Sequence, residues 1–216
     1  MSISVIIPTL NEAENLAAVL EALAWRKGDG NEVIVVDGGS GDGTQEIAKK
    51  EGAQVLACVA AGRAMQMNRG TEAALGEILF FLHGDTLVPD GALDLIAELC
   101  SDAQVVGGGF LRQFDSDSRW LDWTCRLADW RSENWGVFLG DQGIFVRRAV
   151  FDQIGGFDEN LSCCEDLRFS MQLRERGEVV ALRPAVLSSA RRFDKWGPLR
   201  TTLRDACLAA RALVKR

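Results

Sequence analysis

Histidine is almost missing from this chain: His83 is the one copy in 216 residues. None of its six cysteines (58, 100, 125, 163, 164 and 207) forms a Cys-x-x-Cys pair. That spacing excludes the usual zinc patterns and leaves reduced cysteines used as small packing residues. Proline is scarce, with four copies, while apolar residues make up 47% and charged residues 25%. A chain of that mixture folds around a core rather than staying disordered. Long apolar runs are lacking too; residues 78–82 fall far short of a membrane span. Met1-Ser2-Ile3 has no basic start, and Pro8 and Asn11 interrupt the apolar run that follows, so no signal peptide is expected. Positive charge is in deficit: 24 Lys+Arg against 31 Asp+Glu give −7, which argues against a general nucleic-acid binder. The expected location is the cytoplasm.

The net charge hides an asymmetry. Residues 191–216 hold eight Lys/Arg and two Asp/Glu, a net of +6, so the remainder carries −13. A basic, Leu-bearing tail on an acidic body suggests peripheral contact with an anionic membrane at its inner face. A solvated helix end explains the same residues equally well.

No repeat or linker divides the chain, so one domain is expected over residues 1–216. Apolar runs at 2–7, 32–36, 54–57 and 77–82 read as strands, with helices at about 12–23, 44–51, 63–74 and 89–100 between and after them. Asn11 and Glu14 have the spacing of a capping box. Strands alternating with helices imply an α/β fold with a mostly parallel sheet flanked by helices. Residues 105–110 and 144–147 read as further strands. Residues 118–131, 149–154, a stretch beyond 165 and 199–214 read as helices, the last amphipathic. Trp120, Trp123 and Trp130 share one helical face, for which core packing is the default and an acceptor site the alternative. Residues 1–110 and 111–216 are the expected halves of that domain.

Acids stand where ligands bind in such sheets, just past strand ends. Asp37 opens the Gly-rich turn Asp37-Gly38-Gly39-Ser40-Gly41-Asp42-Gly43-Thr44, which lacks both the dinucleotide register and the P-loop Lys. His83-Gly84-Asp85 follows another strand. A carboxylate there can hold a hard divalent ion that carries substrate phosphates, and an Asx turn is the plainer explanation.

Together these motifs resemble family 2 glycosyltransferases. The resemblance rests on Val5-Ile6-Ile7-Pro8-Thr9-Leu10-Asn11-Glu12, the Asp37 turn, Phe81-Leu82-His83-Gly84-Asp85 and Glu165-Asp166, and it covers nearly the whole chain. Three more stretches resemble one subgroup, the radical-SAM/selenodomain-associated transferase 2 proteins. They are Gly62-Arg63-Ala64-Met65-Gln66-Met67-Asn68-Arg69-Gly70, Gly140-Asp141-Gln142-Gly143 and Ser189-Ala190-Arg191-Arg192.

The resemblance implies a GT-A fold and inverting, metal-assisted transfer from a nucleotide-diphosphate sugar to a hydroxyl acceptor, with lipid-linked acceptors among the candidates. It implies a donor-binding set of Pro8, Glu12, Asp37, Gly39, Arg63, His83 and Arg191. Within that set, Asp37 would bind base or ribose, and Arg63 would face the diphosphate. Asp85 would hold the divalent cation, Mn²⁺ or Mg²⁺. Asp166 would be the general base, with Glu165 its rival; Ser162 and Glu165 have capping-box spacing, which gives Glu165 a structural task. Two departures stand out: His83 replaces the first acid of the usual Asp-x-Asp, and Gly38 replaces an acid after Asp37. The rival functions are a non-catalytic nucleotide-sugar or membrane-surface binding module and a sugar-phosphate nucleotidyltransferase.

Overall fold

The computed structural model describes residues 1–25, 30–58, 62–161 and 163–214, with side chains through Ala210. Its first half alternates as the apolar runs require. Strands β1 (Ile3–Thr9), β2 (Glu32–Asp37), β3 (Gln54–Ala57) and β4 (Ile78–Phe81) are separated by helices α1 (Ala13–Ala22), α2 (Thr44–Lys50) and α3 (Arg63–Ala73). After β4 come β5 (Thr86–Leu87), α4 (Ala92–Leu99) and β6 (Val105–Asp115). The second half holds α5 (Arg119–Trp135), a 3₁₀ turn at Gly140–Gln142, β7 (Ile144–Arg147), α6 (Arg148–Ile154), α7 (Glu165–Leu173), β8 (Glu178–Ser189), α8 (Arg191–Trp196) and α9 (Pro198–Val214).

The eight strands form one sheet in the order β3-β2-β1-β4-β7-β6-β8-β5. β1 pairs in parallel with β2 and β4, and β2 with β3. β7 runs antiparallel to both β4 and β6, β8 is parallel to β6, and β5 is antiparallel to β8. Alternate residues of β1 enter opposite cores, as strand geometry demands. Ile3, Val5 and Ile7 join the core under α1 and α4, and Ile6 joins the core under α3, α6 and α7. A third, small cluster of Leu121, Ala190 and Phe193 fixes α5 and α8, with Phe114 packed on it.

Three consecutive glycines make the middle of the sheet possible. A Cβ on Gly107 would stand 2.4 Å from Phe145 O, and one on Gly108 would stand 2.1 Å from Val180 O. Both clashes are with backbone, so neither can be relieved by rotating a side chain.

Several local expectations change. Asn11 does not cap α1: Glu12 holds the N-cap position without a side-chain bond. Asn11 instead has φ 56° and ties β1 to the Gly-rich turn, accepting from Gly41 N at 3.0 Å. The helix expected from Pro89 starts at Ala92, after Gly91 in the left-handed region. β6 runs five residues past its expected end. β5, β8 and α8 were not foreseen. In β8 the register jumps between Phe110↔Leu182 and Arg112↔Val186, so Pro184 sits in an irregularity where no ladder donor is needed.

Candidate functional site

The carboxyl ends of β2, β1 and β4 lie side by side, because these strands are parallel neighbours. Asp37 ends β2 and is fully buried. Its carboxylate accepts from Gly39 N (3.0 Å), Ser40 N (2.9 Å), Ser40 Oγ (2.5 Å), Gln45 Nε2 (2.8 Å) and Thr9 Oγ1 (3.4 Å). Burial alone would raise its pKa, but the bonds from Ser40, Gln45 and Gly39 outweigh that and hold it below the usual carboxylate value. Asp37 thus spends its acceptors on the turn that carries Gly39, not on an open pocket. Gln66 of α3 clamps the same edge, donating to Thr9 O at 2.9 Å and Val36 O at 2.8 Å.

A second group forms around the β4 exit. Gly84 packs so tightly that a Cβ there would meet Glu12 Cγ at 3.1 Å and Thr9 Cγ2 at 3.2 Å. Asp85 is bound through its backbone: Ser189 N donates to Asp85 O at 3.1 Å. β5 then pairs Thr86 with Ser188, and their hydroxyls lie 3.0 Å apart. That pairing delivers Arg191, the first residue of α8, to the two acids. Its guanidinium is ion-paired with Glu12 and lies 3.1 Å from Asp85 Oδ2. Asp85, Glu12 and Arg191 therefore converge. Pro8 pairs with Val36 in the β1–β2 ladder just beside them.

The third group joins the two halves. Gly140 sits where a Cβ would fall 2.5 Å from His83 Nε2 and 3.1 Å from Asp166 Oδ2. Gly140 N donates to Asp166 Oδ2 at 2.6 Å, and Leu167 N donates to Asp166 Oδ1 at 2.7 Å. Each carboxylate oxygen keeps a second lone pair. Burial pushes the His83 imidazole below its usual pKa, and Arg63 adds to that against the pull of Asp85, Asp141 and Asp166. His83 is thus held neutral at pH 7.

Arg63, expected on the diphosphate, donates instead to Glu165 Oε1 at 2.9 Å, and Glu165 is nearly fully buried. Glu165 is therefore a counter-ion of Arg63 in this structure. Its proposed capping partner, Ser162, lies outside the described residues.

Asp141 carries a role that sequence reading missed, although its motif was visible. It is ion-paired with Arg112, whose side chain is 8% exposed. Burial alone would raise the Asp141 pKa, but Arg112 above all holds it below the usual carboxylate range. Asp141 Oδ1 and Arg112 Nε are buried without a hydrogen-bond partner.

A buried carboxylate, an imidazole and two arginines thus gather beyond the carboxyl ends of parallel strands. Residues 4–155 match the family model of glycosyl transferase family 2. The chain belongs to that family. This family 2 glycosyltransferase is 29% identical over 220 residues to a PGL/p-HBAD biosynthesis glycosyltransferase of Mycobacterium bovis, covering 94% of this chain and 80% of the relative.

Among solved structures it resembles the mannosyltransferase PcManGT of Pyrobaculum calidifontis in complex with GDP-Man and Mn²⁺ (TM-score 0.67, 23% identity, 87% of this chain). It also resembles S. aureus TarS 1–349 in complex with UDP-GlcNAc (TM-score 0.71, 20% identity, 88% of this chain). The family 2 chain spans only 56% and 58% of those two solved chains. At such identities the likeness establishes the GT-A fold.

The donor set for a metal is thin. Among the described residues no three His, Cys, Asp or Glu side chains group to hold an ion. Asp85 supplies one hard oxygen group, 23% exposed and shared with Arg191. One carboxylate completed by phosphate oxygens and water suits Mg²⁺ or Mn²⁺, so the residues fit an ion that arrives with its substrate.

Proposed function

We propose that this family 2 enzyme moves a sugar from a nucleotide-diphosphate donor to a hydroxyl acceptor with inversion, and that Asp166 is the general base. One observation carries the reading: Gly140 brings His83, from the strand-end turn, against Asp166, from the first turn of α7. Donor-side and acceptor-side elements meet there without a side chain between them. The solved relatives' complexes with GDP-Man and with UDP-GlcNAc support a nucleotide-sugar donor. The three subgroup stretches support a place among the radical-SAM/selenodomain-associated transferases.

Each residue then has a task. The Asp37 turn and Gly39 shape the nucleoside wall, with Pro8 and Glu12 beside it. Arg191 neutralises Glu12 and Asp85 and is available to the incoming diphosphate, a planar donor suited to phosphate oxygens. Arg63 holds Glu165 and stands ready as a second cation. Asp166, fixed by two backbone N–H groups, takes the acceptor proton through its remaining lone pairs. His83, kept neutral, lines the cleft without adding charge. Asp85 would hold a divalent ion, and that ion would offset charge growing on the leaving diphosphate. A single carboxylate acting on an activated hydroxyl leads to inversion, because no covalent intermediate is needed.

The test is a panel of nucleotide sugars incubated with the protein, with and without Mn²⁺. Slow donor hydrolysis that needs Mn²⁺ supports the reading. Saturable donor binding with no turnover under any condition replaces it with a binding module.

A further inference from the structure

We propose that the outward faces of α5, α8 and α9 form one platform that docks on an anionic lipid surface beside the cleft. The proposal deepens the transfer reading by naming where the acceptor lies, while its test reads binding rather than transfer.

Five of the six tryptophans lie on the surface of the second half: Trp120, Trp123, Trp130, Trp135 and Trp196. Trp123, Trp135 and Trp196 are 54%, 55% and 49% exposed. On α5, Trp120, Trp123, Leu127 and Trp130 recur at helical spacing and are all exposed, while Leu121, Cys125, Ala128 and Ser132 take the opposite, buried side. On α9 the same inversion occurs. Leu199, Leu203, Ala206, Cys207 and Ala210 are exposed and fall on one helical stripe, and Trp196, at the end of α8, is exposed just before it. A water-soluble surface helix normally turns such a stripe inward.

The two stripes belong to one surface. Trp120 Nε1 donates to Thr202 Oγ1 at 3.1 Å, which ties α5 to α9. Leu121 and Phe193 anchor α5 and α8 from beneath. The rings pair off along α5, Trp120 with Trp123 at 5.4 Å and Trp130 with Trp135 at 4.9 Å. Lys195 Nζ and the Arg200 guanidinium lie 5.4 and 5.8 Å from the Trp196 ring. Exposed Arg119, Arg126 and Arg204 border the stripes. The acids here are partly compensated: Asp205 is bonded to Arg192 at 2.5 Å, Glu133 is paired with Arg183 at 2.7 Å, Asp129 is half-buried, and Asp122 and Asp194 remain exposed.

Charge decides the occupant. A second copy on this face would set one basic stretch, net +3 over residues 191–210, against another. Anionic headgroups neutralise those arginines, and indole rings favour the boundary between headgroup and acyl chain. No described helix is long and apolar enough to cross a membrane, so the contact would be peripheral. α8 spans both places: Arg191 enters the cleft and Trp196 joins the platform, about 7.5 Å of helix rise apart. An acceptor hydroxyl held at headgroup depth is therefore within reach of the cleft.

The experiment is co-sedimentation of the full chain with vesicles of phosphatidylcholine alone or with 30% phosphatidylglycerol, at low and high salt. Wild type should pellet with the anionic vesicles at low salt and be released by high salt. Trp123→Ser/Leu203→Ser and, separately, Arg200→Glu/Arg204→Glu should each weaken binding at least tenfold. Circular dichroism and UDP calorimetry should be unchanged, because these side chains neither pack in the core nor enter the cleft. Equal binding to both vesicle types, no binding to either, or variants that bind like wild type would overturn the platform. A concentration-dependent dimer abolished by the same variants, without vesicle binding, would hand the face to a second copy. Vesicle binding without any donor binding would leave the platform standing and sink the transfer reading instead.

Discussion

Two adjacent acids open α7, and their surroundings assign them different work. Glu165 is locked onto Arg63, whereas Asp166 faces Gly140 and His83 and is held only by backbone donors. Asp166→Asn should preserve the fold and lower donor turnover by roughly 10²–10⁴-fold, the usual cost of losing a general base. Glu165→Gln should cost less, because Arg63 stays in place but loses its counter-charge. Steady-state rates of the two variants check the order, and a reversed order would move the base to Glu165.

Asp37 makes a prediction about stability. Its folded pKa lies below the ordinary 3.8, so its carboxylate stabilises the fold above that value and loses its effect as pH falls through the lower, folded value. Asp37→Asn should cost about 1–3 kcal/mol near pH 6, because the donors on Oδ2 would meet a neutral amide oxygen and an N–H₂ would replace Oδ1, the acceptor of Ser40 Oγ. The gap from wild type should close below about pH 3.8, which urea titrations at several pH values would reveal. A gap independent of pH would mean that the charge is irrelevant there.

At the scale of elements, the 3₁₀ turn is the tightest joint of the site. Gly140→Ala would drive a methyl into His83 Nε2 and Asp166 Oδ2. Turnover should fall at least tenfold, while the melting temperature moves little because the imidazole and the carboxylate can shift towards the cleft. A matched loss in melting temperature would make the position structural. Gly108→Ala is the opposite case, because its clash is with Val180 O inside the sheet. It should cost about 1–3 kcal/mol of stability, the range for overpacking.

The elements also explain what could be read beforehand. β1 and β4 are buried throughout and β2 in all but Glu32, and turn residues bound them, so their strand nature and the acids at their ends were legible. β8 was not: Glu178–Ser189 mixes exposed and buried residues irregularly and contains Pro184. Arg191 could be listed as a donor residue by resemblance, but its meeting with Glu12 and Asp85 depends on that unseen strand. Periodicity found the Trp120–Trp130 face correctly and put it in the core by default. A repeat distance identifies a face, not what covers it, and the burial of Leu121, Cys125 and Ala128 shows which side the core takes. Asp141 was visible in a motif, yet nothing in the sequence ties it to Arg112.

For the molecule as a whole, the sheet order interleaves the two halves. β7 separates β4 from β6, and β8 separates β6 from β5. A chain ending after residue 177 would leave β5 and the outer edge of β6 unpaired. It should lose cooperative unfolding and aggregate, since open strand edges recruit other chains. Light scattering and a thermal melt of that truncation check this; a soluble, cooperative fragment would show that β8 is an accessory.

The β5–β8 pairing also has a consequence for the order of events during synthesis. Asp85 leaves the ribosome about a hundred residues before Arg191, at roughly 5–20 residues per second. For several seconds the nascent chain has the Asp37 turn and Asp85 but neither the strand nor the arginine that meets them. Contacts so distant in sequence form late. The half-built sheet therefore waits with Glu12 and Asp85 uncompensated, and they meet their shared arginine only after β8 has been translated.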